Sequence, residues 1–395
     1  MQTHQDGNGY SMTFDRIISE CRRKVESPFQ EINKWKKKSR TGLAVGTFPV
    51  YTPWEIIDGC GMFPIGIFGG GSDIEIEYAD SLIQSFICSI ARSTLEVGLK
   101  GKLKDVDAMV FPSICDVSKN LSGIWERNFP NLQVEFIHLP QNMYSESAVD
   151  YLVHEYKRLA DNLCTMNGST PKEDSILESI SVYNENRAKL RELYEFRSKE
   201  PWNLSTLELY IIIRYGTLVP QSVFSETLDK LLESVLLRDK GERDSVRVIL
   251  EGSFCEQPPL DMLHLLEEAG CYIVDDDLLV GYRWFMEDVS TEGSPYRNLA
   301  EAYINLSYPS SVRHDGNRSR SDHLLEKVEK NAAAGVLFCA AKFCEPALFD
   351  YVLLKDALEK NDIPYLSFEF EEKMGVFESI KTQVETFVES ILFFS

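Results

Sequence analysis

The chain has 395 residues, 44% of them apolar and 26% charged, enough for two or three domains with cores of their own. Its 62 acidic residues outnumber 41 basic ones and leave a net charge of −21. That charge repels phosphate backbones and anionic headgroups, so nucleic acid and a membrane surface are excluded as partners.

Residues 1–40 read as an N-terminal helical segment. The opening MQTHQDGNGYSMTFDR has neither the basic n-region nor the apolar h-region of a signal peptide. Further along, Ile211–Ile213 and Ile391–Phe394 fall far short of the roughly 18 apolar residues of a spanning helix. A cytoplasmic location is the expectation, and the nine cysteines are then reduced thiols rather than disulfides.

Residues 41–146 hold strand-like runs at Leu43–Phe48, Pro64–Phe68, Asp107–Phe111 and Val134–His138, with helical spacing between them, as over Tyr78–Val97. Strands alternating with helices predict βαβ units and a parallel sheet. Residues 147–240 are helical in pattern almost throughout, in segments such as AVDYLVHEYKRLADNL and SETLDKLLESVLL whose apolar residues recur at three and four. Residues 241–395 return to the first scheme with runs at Ser245–Leu250, Cys271–Asp275, Ala334–Phe338 and Pro364–Phe368. The polar SSVRHDGNRSRSDH (310–323) reads as a surface loop that can face a ligand.

The two α/β segments repeat one another. LAVGTFPVYTPWEIIDGCGMFPIGIF (43–68) and RVILEGSFCEQPPLDMLHLLEEAGCYIVDD (247–276) share a strand, a Gly-Thr/Ser-Phe corner, a proline opening a helix and a glycine before the next strand. DAMVFPSICD (107–116) answers AGVLFCAAKFCE (334–345). The fold class expected is α/β: two similar Rossmann/flavodoxin-like lobes with parallel sheets, plus a helical module.

In such sheets ligands sit beyond the carboxyl ends of the strands. Cys115, Cys255, Cys339 and Cys344 follow strand runs, Cys60 follows the helix Trp54–Gly59, and Cys88 follows the Gly-rich GIFGGGSD. Six thiols are therefore expected at one cleft. Cys21, Cys164 and Cys271 sit on helical faces or at a strand start and read as small buried hydrophobes. The chain has no CxxC pair, the nearest spacing being Cys339-x4-Cys344, so zinc is a poor fit. Widely separated thiolates suit iron–sulfur clusters, whose several irons spread the ligands out. His138 and His264 have no ligand spacing, and GIFGGG (66–71) reads as a tight turn before a phosphate loop. With no Walker A and no G-x-S-x-G, the chain is not expected to hydrolyse ATP itself.

The segments TPWEIIDGCGMFPIGIFGGG, SICDVSKNLSG, YNENRAKLRELYEFR, GSFCEQPPLDML and GVLFCAAKFCEP resemble the 2-hydroxyacyl-CoA dehydratase / benzoyl-CoA reductase family, most of all the C-type core subunits of ATP-dependent (class I) benzoyl-CoA reductases. The resemblance runs from about residue 40 to the end. It implies an oxidoreductase subunit of a ferredoxin- and ATP-dependent aromatic acyl-CoA reductase of anaerobic aromatic compound degradation. It also implies a homologous B-type core subunit and ATP-hydrolysing iron–sulfur activator subunits as partners, with an aromatic acyl-CoA as substrate. Dehydratase-type subunits hold a 4Fe-4S cluster by three cysteines, matched here by Cys88, Cys115 and Cys339. The added Cys60, Cys255 and Cys344 resemble the six-cysteine relatives, which implies a double-cubane 8Fe-9S cluster that supplies low-potential electrons for dearomatising ring reduction. The alternatives are a subunit of a 2-hydroxyacyl-CoA dehydratase, a lyase needing three cysteines, and a stand-alone double-cubane reductase of small molecules.

Overall fold

The structure, a computed structural model, describes residues 6–39, 42–71, 74–252, 255, 256, 258–278, 287–310, 312, 313, 319–374 and 377–394. Two helices, α1 (Asp6–Glu26) and α2 (Gln30–Lys38), precede the first lobe. That lobe holds β1 (Ala44–Thr47), α3 (Trp54–Gly59), β2 (Phe63–Gly66), α4 (Ser89–Leu99), β3 (Ala108–Pro112), α5 (Asp116–Asn128) and β4 (Gln133–Ile137). Helices α6 (Ala148–Met166), α7 (Glu173–Lys199), α8 (Thr206–Gly216) and α9 (Gln221–Val235) follow. The second lobe holds β5 (Val246–Glu251), α10 (Leu260–Glu268), β6 (Cys271–Asp276), α11 (Pro295–Asn305), α12 (Arg320–Lys330), β7 (Gly335–Ala341), α13 (Glu345–Lys360), β8 (Tyr365–Phe370) and α14 (Glu378–Phe394).

Both sheets are parallel, with the orders β2-β1-β3-β4 and β6-β5-β7-β8. These are the same order in each lobe, so the letter-level repeat is a structural one. The inner strands AMVFP and GVLFCAA are buried at every position, because helices cover both faces of a parallel sheet and leave no solvated side to alternate with. At the edge strands β4 and β8 exposed and buried positions mix.

A crossover helix leaves the carboxyl edge of its sheet and returns the chain to the amino edge. The amino termini of α3, α4, α5, α10 and α13 therefore lie at the carboxyl rims, and their carboxyl termini lie at the opposite edge. Pro53 and Pro259 stand at the N-cap positions of α3 and α10, one residue earlier than the first-turn position the sequence predicts.

The helix expected over Tyr78–Val97 is shorter than that. Residues Ala79–Ser81 form a single 3-10 turn, and α4 begins at Ser89. The buried Glu96 carboxylate accepts the N–H groups of Tyr78 (2.9 Å) and Ala79 (2.8 Å), which ends that turn against α4. The expected loop at 310–323 is also cut short, because α12 starts at Arg320; residues 311 and 314–318 of it lie outside the described residues.

Helix α7 joins the lobes. Its 27 residues give a rod about 40 Å long. Near its middle Arg187 pairs with Glu55 of α3, and near its end Arg197 pairs with Asp276 of β6 at 2.7 Å, all four side chains being almost wholly buried. Among the described residues no helix is long and apolar enough to cross a membrane.

Candidate functional site

Four cysteines meet at the facing carboxyl rims of the two sheets. Cys88, Cys115 and Cys344 are the N-cap residues of α4, α5 and α13, and Cys255 lies in the loop from β5 to α10. Each lobe contributes two. In the second lobe the pair follows β5 and β7, the neighbouring strands between which the chain reverses direction across the sheet, where open α/β sheets form their crevice.

The sequence brings them there by direct means. Gly252, with φ of +94°, turns the chain out of β5, and its N–H is held by Asp277 Oδ2 at 2.8 Å. Phe343, with φ of +64°, turns the chain out of β7, and Cys344 N–H closes that turn on the Ala341 carbonyl at 3.0 Å. Ser118 N–H donates to Cys115 Sγ at 3.4 Å. The N–H groups of Ala91 and Ala347 likewise favour the anions of Cys88 and Cys344. Each of these N–H groups is three residues into the capped helix, so three helix amino termini present donors and positive dipole ends to the sulfurs.

Burial outweighs those donors. Cys255 is 9% and Cys344 8% exposed. Burial pushes the Cys344 thiol up to about 12, with the charges of Cys115, Glu256 and Asp277 adding to the rise. Cys255 is held well above the usual thiol range by burial and then by Cys344, Cys115, Cys88 and Glu256. Cys88 behaves alike, with burial first and then Glu256, Cys344 and Cys115, and burial also raises Cys115. These mutual effects show four acidic groups crowded in one desolvated place. The set is neutral without a cation, and a bound cationic core reverses that balance.

The donor chemistry fits a multi-iron cluster better than a single ion. Among the described residues no three His, Cys, Asp or Glu side chains converge tightly enough for one metal ion. A cluster instead takes thiolates spaced several ångströms apart around its faces.

Two carboxylates of the second lobe lock onto the first beside this group. Glu256, 3% exposed, accepts from Ile90 N–H at 2.9 Å and from the Ser89 hydroxyl, so a residue next to Cys255 caps the helix that begins after Cys88. Burial raises its carboxyl to about 7. Glu372 accepts from Gly71 N–H at 2.5 Å, and its own N–H donates to Ser89 Oγ at 3.0 Å. Gly69 and Gly71 have φ of +86° and +74°, and Gly69 and Gly70 N–H groups go to Thr94 and Ser93 hydroxyls, both at 3.1 Å. The Gly-rich stretch is thus a tight turn whose donors are taken by the protein itself. Behind the Cys255 loop, Arg320 pairs with Glu251 and Asp277, each at 2.9 Å. Burial and the Glu251 charge raise the Asp277 carboxyl to about 7. Arg320 is therefore no surface residue, although it falls in the stretch expected to be a loop.

The other two cysteines expected at the cleft are placed differently. Cys60 is the C-cap of α3, and a crossover helix ends at the amino edge of the sheet. Its sulfur lies 3.9 Å from the Ala160 carbonyl of α6 and bonds with Cys164, which together with burial raises its thiol. Cys339 lies within β7, not after it, and its sulfur sits 3.5 Å from Met262 Sδ of α10 in the core. Cys21 and Cys271 are buried, and burial raises both thiols to about 12. The structure brings together Cys88, Cys115, Cys255 and Cys344, with Cys60 at the opposite edge.

Glu256 and Asp277 are the site residues that sequence reasoning misses. A signal exists in FCEQP (254–258) and FCEP (343–346), since each cysteine is followed by a glutamate. An acidic residue at a helix start is ordinary, however, and Glu345 is one such. Nothing local says that Glu256 caps a helix of the other lobe.

Residues 49–391 match the family described as 2-hydroxyglutaryl-CoA dehydratase, D-component. The chain is 39% identical to the C subunit of benzoyl-CoA reductase from Thauera aromatica, over 96% of its own length and 99% of that protein. It is 28% identical to the beta subunit of lactoyl-CoA dehydratase from Anaerotignum propionicum, over 95% and 99%. To the (R)-phenyllactyl-CoA dehydratase beta subunit of Clostridium sporogenes it is 26% identical, again over 95% and 99%.

Proposed function

The chain belongs to the 2-hydroxyglutaryl-CoA dehydratase D-component family, and from that membership we propose that it is the C-type core subunit of an ATP-dependent aromatic acyl-CoA reductase of the benzoyl-CoA type, with one four-iron cluster held by Cys88, Cys115, Cys255 and Cys344. The observation that carries the proposal is the convergence of those four thiols from both lobes. The six-thiol, double-cubane arrangement draws less support, because Cys60 ends α3 at the amino edge beside Ala160 of α6.

When bound, such a cluster supplies one-electron transfer at a potential set by its ligands, charge and burial. The residues of this chain set those terms. Cys255 and Cys344 keep the site nearly dry, and the Glu256 and Asp277 carboxyls add negative charge beside it, which favours a low potential. The amino termini of α4, α5 and α13 orient the sulfurs and moderate that charge. Four protein thiolates fill the outer coordination of a four-iron core and leave no iron open to a substrate oxygen. This favours electron supply over the lyase reading, which rests on three cysteines. Ring chemistry then falls to the homologous B-type subunit or the interface with it, and ATP hydrolysis to the activator.

The test is anaerobic purification followed by metal and activity assays. The expected result is about four irons and as many acid-labile sulfides per chain, no reduction of an aromatic CoA thioester by the chain alone, and ATP-coupled reduction once the homologous subunit and activator are added. Near-stoichiometric zinc without sulfide, or ATP-dependent reduction by the isolated chain, overturns the reading.

A further inference from the structure

Away from the cysteines, two helix faces meet at the edge of the second sheet without packing shut. Along α7 Arg191, Tyr194 and Ser198 recur at three and four and share a face, as do Lys327 and Lys330 along α12. Between the faces, over Val274 of β6, lies a cavity of about 580 Å³, a size usual for small-molecule sites. Its walls carry five Lys or Arg side chains against three carboxylates, in a chain whose net charge is −21.

The cavity is built and fixed. At one end Ser198 Oγ donates to Asn331 Oδ1 at 2.6 Å, and Arg247 Nη2 donates to the carbonyls of Ser198 (2.6 Å) and Asn331 (2.8 Å). The Tyr194 ring is held as a flat wall by its hydroxyl bond to Asp276 Oδ1 at 3.1 Å and by Arg197, whose guanidinium lies 4.7 Å from the ring centre. Some of the cationic capacity is unspent. Arg191 pairs with Asp288 through Nη2 at 2.6 Å, while its Nη1 lies buried without a hydrogen-bond partner among the described residues. Lys199 and Lys330 form no ion pair among the described residues.

We propose that this cavity is a second binding site, for a small organic anion joining a flat base to two or more phosphates. Adenine nucleotides and the adenosine-phosphate end of a CoA thioester share that chemistry. Tyr194 offers the ring a stacking face, and Arg191, Lys199 and Lys330 meet the phosphates with charge-assisted hydrogen bonds. The site does not depend on the cysteines; only its CoA form rests on the acyl-CoA reading above.

Isothermal titration of the full-length chain at low salt with ADP, CoA and inorganic pyrophosphate tests this. One-to-one saturation by ADP or CoA is expected, with CoA favoured at least tenfold if the thioester is the natural source and the two equal if a free nucleotide is. Lys199→Glu with Lys330→Glu lowers the affinity at least tenfold, since each hydrogen bond to a charged group is worth about that. Lys199→Arg with Lys330→Arg keeps it, and both double variants melt like the parent because these lysines are exposed. Failure to saturate at millimolar ligand, undiminished binding in the glutamate variant, or pyrophosphate binding as tight as ADP overturns the assignment. Iron content of the same preparations reports on the cysteines separately, so a failure here and a failure of the cluster reading are distinguishable.

Discussion

Replacing Cys344 by serine separates the four-thiol site from its neighbours. The Cys344 thiol is 8% exposed and has a pKa of about 12. Making it a thiolate at about pH 7.5 therefore costs about 6 kcal/mol, at 1.36 kcal/mol per unit, and that cost is offset only when a cationic core is bound. A serine hydroxyl ionises far less readily still, so it cannot replace the anionic ligand. Serine is otherwise nearly isosteric, and burying its hydroxyl costs the metal-free chain about 1–3 kcal/mol. The expected result is a folded protein whose iron falls from about four per chain to about three or fewer, with an altered electron paramagnetic resonance signal. Cys88→Ser, Cys115→Ser and Cys255→Ser behave the same way. Cys60→Ser is the control: a serine hydroxyl can still donate to the Ala160 carbonyl that the sulfur now faces at 3.9 Å, and full iron is retained. Full iron in Cys344→Ser together with loss in Cys60→Ser refutes the reasoning.

Three further outcomes follow from the frame around the site. Arg197→Met leaves the Asp276 carboxylate, 0% exposed, without its 2.7 Å partner, and urea titration should show a loss of about 3–5 kcal/mol that Asp276→Asn partly restores. Glu267, raised to about 7 by burial, binds a proton in the folded chain between about pH 4.5 and 7 that the unfolded chain has released. Its share of stability is therefore present at pH 5 and lost as pH rises to 7, by about 3 kcal/mol; calorimetry across that range should show the loss, and Glu267→Gln should flatten the curve. Gly69→Ala places a Cβ against Glu372 Oε1 and 2.8 Å from Ser93 Oγ at a φ of +86°, so it should cost about 1–3 kcal/mol and speed hydrogen exchange at Gly69 to Gly71.

The eight strands are legible in the sequence because buried parallel strands are continuous apolar runs, and the two lobes are legible because their corners repeat. The site is only partly so, and each departure has a structural cause. Cys60 follows a strand and a helix in the letters, but the helix carries the chain back to the amino edge before the cysteine is reached. The run Ala334–Phe338 ends too early, since alanines are weak strand formers; pairing of Ala340 with Glu369 and Ala341 with Phe370 extends β7 by three residues. That extension places Cys339 inside the strand and leaves Cys344 at the rim. The interlobe carboxylates and the basic cavity depend on residues far apart in the chain, which no local pattern joins.

The direction of the crossover helix also explains why the site is made of N-caps. A thiol placed just before a crossover helix gains the rim, the helix dipole and a backbone N–H three residues on, all from a single position in the chain. A thiol just after one gains none of these. Two lobes with the same strand order, facing each other rim to rim, then bring such positions together without any close-spaced cysteine motif. The cost is a desolvated group of thiols beside the buried Glu256 and Asp277, all resisting ionisation together. Each lobe supplies half of the group, so a bound core ties α4 and α5 of one lobe to β5 and α13 of the other, adding its binding energy to the holds made by Glu256 and Glu372. Electron supply and the rigidity of the interlobe cleft are in this way set by the same four side chains.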